Sequence, residues 1–205
     1  MSYESLPSPE TVQKTAEAVN QRGINVIVVN TRQEALAKVK ELIPEGASVM
    51  TAGSVTLTQI GLDDLLISGK HPWKNLKSDL LAEKDPAKQG ALRKQATLSD
   101  YYLGSVQAIT EGGEMVIASG TGSQLPAFAF SSSNVIFVAG AQKITANLEQ
   151  ALQRMREHSY ILEDKRMKSI GAPGSMIGKV LIFEREAAFL RRKVTLILVN
   201  EVLGY

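Results

Sequence analysis

Apolar residues between positions 9 and 22 recur at helical spacing. This predicts an amphipathic helix capped by Ser8, with Glu10 in its first turn beside the positive end of the helix dipole. Gly23 ends it, and Ile24 to Val29 reads as a buried strand rich in β-branched residues. Asn30-Thr31 can cap a second helix from Arg32 to Ile43, in which Ala35, Leu36, Val39 and Leu42-Ile43 share one face. Ala47 to Thr51 follows as a short strand, and Gly53-Ser54 opens a short helix through Ile60. Strand, helix and strand in alternation predict parallel pairing and an α/β layer fold.

Ile67 to Asn75 reads as a polar, turn-rich insertion, and residues 78 to 99 as helix interrupted near Pro86, which cannot donate an interior hydrogen bond. Val106 to Thr110 and Met115 to Ala118 flank Glu-Gly-Gly-Glu, a β-hairpin pattern. A compact apolar helix from Leu125 to Phe130, a strong buried strand from Asn134 to Ala139 and an amphipathic helix from Ala146 to Glu157 come next. Residues 160 to 178 read as irregular and glycine-rich. Val180 to Phe183 and Val194 to Val199 read as final strands joined by a charged segment. No repeat or composition break divides the 205 residues, so 1–205 is expected to be one domain.

Composition narrows the chemistry. With 44% hydrophobic and 21% charged residues the chain has a globular balance rather than that of a disordered tail. Its apolar runs are far shorter than the ~20 residues of a membrane helix. The polar start, Met1-Ser-Tyr-Glu-Ser, lacks a secretory signal, so a cytoplasmic location is expected. No cysteine exists, which excludes disulfides, thiolate metal sites, cysteine-bound iron–sulfur clusters and a cysteine nucleophile. Two histidines, His71 and His158, are too few for a histidine-rich zinc site, and no metal is expected. A net charge of +2 does not call for nucleic acid. Residues 151–205 carry ten Lys/Arg against six Asp/Glu, a basic bias that suits either an anionic ligand or a solvated face.

Three loops are candidates for chemistry. Gly53, Ser54 and Thr56 follow a strand and open a helix, where backbone N–H groups and hydroxyls can meet an anion; plain helix capping explains the same residues. The stretch from Asp100 to Glu114 brings Gly104, Ser105, Gln107, Thr110, Glu111 and Glu114 around a strand end. Glu111 is its candidate general acid, base or nucleophile, or else a solvated hairpin residue. Gly120, Thr121, Gly122, Ser123 and Gln124 form a second anion-cradling arrangement or a tight turn. They lack the dinucleotide fingerprint, so no cofactor is assigned. Lys143, after the buried strand, reads in isolation as a surface lysine that can also pair with a carboxylate or phosphate. His158 is expected at a helix end, and Trp73 under a loop or as a lid. Gly171 to Gly178 reads as a cover or a flexible crossing. Ser54, Thr110 and Thr121 are expected to line one cleft where the strands terminate.

Several separated segments together resemble the LUD domain family of lactate utilisation proteins, including its LutC-type subunits. They are Ala52-Gly-Ser-Val-Thr-Leu57 with Gly61, Leu103 to Gly112, Gly120-Thr-Gly-Ser-Gln124, Val135 to Ile144, and the tail Arg192 to Tyr205. The resemblance implies a three-layer α/β sandwich around a mainly parallel sheet, the fold of glucosamine-6-phosphate deaminases, ribose-5-phosphate isomerases and CoA transferases. It places Gly53, Ser54, Thr56, Gly104, Ser105, Thr110, Glu111, Gly120, Gly122, Gln124 and Lys143 at family positions. The family often has Asn for Gln107 and Asn-Arg for Ser123-Gln124, so an expected arginine is missing here. By resemblance the chain is an accessory subunit of L-lactate oxidation that binds a small anionic ligand. The redox centre then belongs to iron–sulfur oxidoreductase partner subunits. A stand-alone isomerase or transferase acting on a sugar phosphate or acyl-CoA is the alternative. A homo-oligomer held through apolar residues such as Val202 to Tyr205 is a third reading.

Overall fold

The computed structural model describes residues 3–205; Met1 and Ser2, which begin the polar N-terminal stretch, lie outside the described residues. Ten strands form two sheets. The larger is wholly parallel and has six strands in the order β1-β10-β7-β4-β2-β3. They are β1 (Asn25–Val29), β10 (Lys193–Val199), β7 (Asn134–Gly140), β4 (Tyr101–Gly104), β2 (Ser48–Thr51) and β3 (Lys74–Asn75). The smaller sheet holds β8 (Ile144–Thr145), β5 (Ala108–Thr110), β6 (Met115–Ser119) and β9 (Lys179–Phe183), with β6 antiparallel to both β5 and β9.

Strand alternation divides the core. Val135, Phe137 and Ala139 of β7 face one way with Leu196 and Leu198 of β10. They pack against α1 (Pro9–Gln21), the small sheet, α5 (Leu76–Ala82) and the helical segment ending at Ala127–Ser131. Ile136 and Val138 face the other way with Ile197 and Val199. They meet α2 (Arg32–Leu42), α3 (Val55–Gln59) and α4 (Leu62–Ser68). A parallel sheet covered on both faces needs near-continuous apolar strands, and Val194 to Val199 is one. The outcome is the three-layer α/β sandwich, with the small sheet built into one layer.

Local signals explain most boundaries. Ser8 accepts from Thr11 N–H at 3.1 Å, Thr31 from Glu34 N–H at 3.2 Å and Ser54 from Leu57 N–H at 3.3 Å. Pro86 is the first residue of α6 (Pro86–Gln95), where its missing N–H costs nothing, and Asp85 caps that helix. Trp73 is buried, and its indole N–H donates to Ile43 O at 3.2 Å, so it packs under a loop.

Three expectations are corrected. Ile24–Val29 is not buried throughout, because β1 lies at the sheet edge and leaves Val28 exposed. Residues 160–178 are not irregular throughout. The helix α7 (Leu148–Arg154) continues through a wider turn, Met155–Ser159, into α8 (Tyr160–Ser169). None of the α8 residues is buried, so no apolar stripe announces it. His158 therefore lies within a continuous helix, packed on Tyr3 with ring centroids 5.1 Å apart, rather than at a helix end. The strands β4 and β8 also escape the sequence pattern, being only four and two residues long.

Candidate functional site

All six strands of the large sheet run the same way, so the segments leaving β2, β4, β7 and β10 gather along one edge. Ligands bind at that edge in open α/β sheets. Here it encloses a cavity of about 170 Å³. Gly53, Ser54 and Thr56 line it from the β2 side, Ser105 to Gln107 from β4, and Lys143 from β7. The small sheet adds Ser119, Gly120 and Gln124, and the long helix adds Ser159, Glu163 and Arg166. Met176 and Tyr205 complete the wall.

Lys143 is 1% exposed, contrary to its expected place on the surface. The chain folds back after Gly140 through a short turn, Ala141–Lys143, whose three side chains are all buried. Lys143 Nζ donates to Thr56 Oγ1 at 3.0 Å, Ser105 Oγ at 3.1 Å and Val106 O at 3.1 Å. Every one of these acceptors is neutral. Burial, with a smaller contribution from the nearby Arg154 charge, holds the Lys143 amine well below the ordinary lysine value. Thr56 Oγ1 donates in turn to Leu203 O at 3.4 Å, and Gln142 Nε2 donates to the same carbonyl at 2.9 Å. The tail around Leu203 is thereby stitched to the site.

Arg154 lies behind this wall and is 0% exposed. It donates to Gln107 O, to Ser159 Oγ at 3.1 Å and to Tyr3 O at 3.4 Å, while its Nε has no partner. Burial lowers it to about 10, so it is still a cation at neutral pH. None of the ion pairs among the described residues involves Lys143 or Arg154. At the cavity wall, Arg166 grips Glu163 with two hydrogen bonds of 2.7 Å, and Tyr205 Oη donates to the same carboxylate. Burial pushes Glu163 up, but these bonds and the Arg166 charge outweigh it and leave the carboxyl below its usual range.

Of the residues singled out in the sequence, Gly53, Ser54, Thr56, Ser105, Gly120, Gln124 and Lys143 meet at the cavity. The expectation that Ser54, Thr110 and Thr121 line one cleft is corrected. Thr110 ends β5, which belongs to the small sheet, and Glu111 follows it, so the strand-end argument does not carry over to them. Thr110 spends its hydroxyl on Glu114. Arg22 draws that hairpin tip to the end of α1, reaching Glu114 at 2.5 Å and Gly112 O at 2.7 Å. Glu111, the candidate catalytic residue, lies beside this tip, its side chain 36% exposed and 3.9 Å from Lys14. An exposed pair so long contributes little, so Glu111→Gln is expected to change stability by under about 0.5 kcal/mol in thermal unfolding.

Thr121 turns outward onto Ser123 Oγ at 3.1 Å. Gly122 supplies the turn at φ 83° over the Lys179 stem, and Ser119 Oγ donates to Gln124 Oε1 at 2.9 Å. Gly104 makes room for the Phe128 ring, which itself lines the cavity. Sequence reasoning missed Arg154, Ser159, Glu163 and Arg166. Arg154 carried one usable signal, its place between Ala151 and Met155 on a buried helical face. The glycine-rich segment does cover the site: Gly178 N–H donates to Ser119 O at 3.1 Å, and Ser175 to Ile177 line the cavity. No group of three His, Asp or Glu side chains among the described residues is arranged to hold a metal ion, and none of their helices is long and apolar enough to cross a membrane.

Two solved structures resemble this one. The DUF162 family protein of Deinococcus radiodurans aligns over 96% of this chain and 100% of its own, with a TM-score of 0.52 at 13% identity. Ribose 5-phosphate isomerase A from Neisseria gonorrhoeae aligns over 98% and 97%, with a TM-score of 0.36 at 15% identity. No curated protein matches the chain. The family model of the LUD domain matches residues 12–175, the span that builds most of the cavity wall, and the chain belongs to the LUD domain family.

Proposed function

We propose that the protein binds a small carboxylate in the strand-end cavity and serves as a LutC-like accessory subunit in L-lactate utilisation. Iron–sulfur oxidoreductase subunits are then its partners and carry the electrons. One observation supports the anion: the cationic Arg154 lies buried behind the cavity wall and enters no ion pair among the described residues. A buried charge without a counter-ion is costly, and an incoming carboxylate supplies one. Size favours a small ligand, since about 170 Å³ falls below the roughly 300–1,000 Å³ of sites for drug-sized molecules. An acyl-CoA cannot be enclosed there. Family membership supports the lactate role.

Calorimetric titration tests the binding. L-lactate is expected to bind at one site and propylene glycol, which lacks the carboxylate, is not. Thr56→Val removes a hydroxyl from the cavity wall and is expected to weaken lactate about tenfold, the cost of roughly one hydrogen bond. Equal binding of the uncharged diol, or no binding of lactate, overturns the reading. The subunit role predicts that a tagged copy captures iron–sulfur subunits and that deletion stops growth on lactate.

A further inference from the structure

Lys143 is an unusual lysine to find holding a fold together. Its amine is buried at a cavity wall and, among the described residues, hydrogen-bonds to two hydroxyls and one carbonyl. A lysine kept for its charge would pair with a carboxylate, and this one does not. A lysine amine becomes a nucleophile when it is desolvated or set beside another cation. Both conditions hold here, with Arg154 as the cation. The hydroxyls of Thr56 and Ser105 lie 3.2 Å from each other and within 3.1 Å of Nζ, so they can pass a proton between the amine and a bound molecule.

We infer that Lys143 forms a Schiff base with a small 2-oxo acid held in this cavity. The ligand class follows from three constraints: an amine nucleophile takes a carbonyl, the uncompensated Arg154 charge behind the wall favours a carboxylate, and the small volume requires the two groups to be adjacent. The inference rests on the anion-binding reading above and adds a covalent step to it. Nζ attacks the carbonyl carbon, the N–C bond forms, and the carbonyl π pair moves onto oxygen. One amine hydrogen passes through Ser105 or Thr56 to that oxygen. The C–O bond then breaks and the nitrogen lone pair closes the C=N bond. The departing hydroxyl takes the second amine hydrogen and leaves as water. Amine and carbonyl thus give imine and water, with no oxidant or reductant. Protonation of the imine by solvent yields a cation that the ligand's own carboxylate offsets.

The test uses the intact protein with pyruvate, a small 2-oxo acid, as probe. Borohydride reduces an imine to a secondary amine and makes the adduct permanent, so peptide mass spectrometry can locate it. The reduced adduct is expected on Lys143 at roughly tenfold or more above exposed lysines such as Lys14 and Lys168. L-lactate, which has no carbonyl, competes with pyruvate but forms no adduct. Lys143→Arg is expected to abolish trapping; because mapping on the unaltered protein locates the lysine directly, the result does not depend on that variant folding. If lactate and pyruvate both bind and Lys143 stays unmodified, the Schiff base is overturned while the anion site stands. A reduced adduct spread evenly over surface lysines also overturns it. If neither acid binds, both readings fall.

Discussion

Gly140→Ala is expected to cost about 3 kcal/mol and to lower the melting temperature by roughly 6–12 °C. The backbone of Gly140 is ordinary, at φ −73° and ψ 146°, so conformational strain is not the cause. Space is. A methyl group there would sit 2.5 Å from Glu201 O and 2.7 Å from Leu203 N, and would press on the Gln142 side-chain oxygen. Two of those atoms are backbone, and close-packed backbone cannot move aside as a flexible side chain can. The tail must shift, and with it Leu203 O, which holds Thr56 and Gln142. Loss of cavity binding should therefore accompany loss of stability. Circular dichroism melting checks the first effect and calorimetry the second. Gly53→Ala is the control: a methyl at Gly53 meets nothing within 4 Å, so its melt should stay within about 0.5 kcal/mol of the parent. A Gly140→Ala protein melting within about 2 °C of the parent would mean that the tail is not fixed where the structure places it.

Lys143→Met is expected to remove a pH dependence. The folded protein holds Lys143 below the ordinary lysine value, chiefly by burial. Between the folded and unfolded values the unfolded chain carries one more proton, so stability rises with pH across that window. The contribution is fully present above the unfolded value and is lost as pH falls through the folded one. For one proton the slope is at most about 1.4 kcal/mol per pH unit. Denaturant unfolding between about pH 7 and about pH 10 should therefore show the parent gaining on the variant as pH rises. Thr56 and Ser105 keep each other and Leu203 O or Val106 O as partners, so the methionine protein retains a bonded pair of hydroxyls. A constant difference across that range would mean that Lys143 titrates as an exposed lysine does.

The layers of the fold were written plainly in the chain. Strands such as Val194 to Val199 are apolar save for Thr195 because both faces are covered, and helix starts are marked by Ser8, Thr31, Ser54 and Asp85. The site was legible where a loop of small and polar residues followed a strand, as at Ser54, Ser105, Gly120 and Gln124. Thr110 follows a strand too, but membership of one sheet or the other depends on pairing between distant segments, which residue pattern does not encode. Arg154 and Lys143 illustrate a second limit. Long cationic side chains are almost always solvated, so sequence reasoning places them outside. Only the assembled walls show that these two are enclosed. The contribution of α8 stayed hidden because a helix with no buried residue has no periodicity to read.

The position of β10 between β1 and β7 has a consequence for biosynthesis. Asn25 to Val29 pair with Thr195 to Val199 and with no other strand. While the polypeptide emerges from the ribosome, β1 must wait, hydrogen-bonding groups unpaired, until β10 has been translated. Pairings so remote along the chain are slow to form and leave sticky edges bare meanwhile. Copies in which β10 has not yet paired are thus open to aggregation, because that one strand joins β1 to the rest of the sheet.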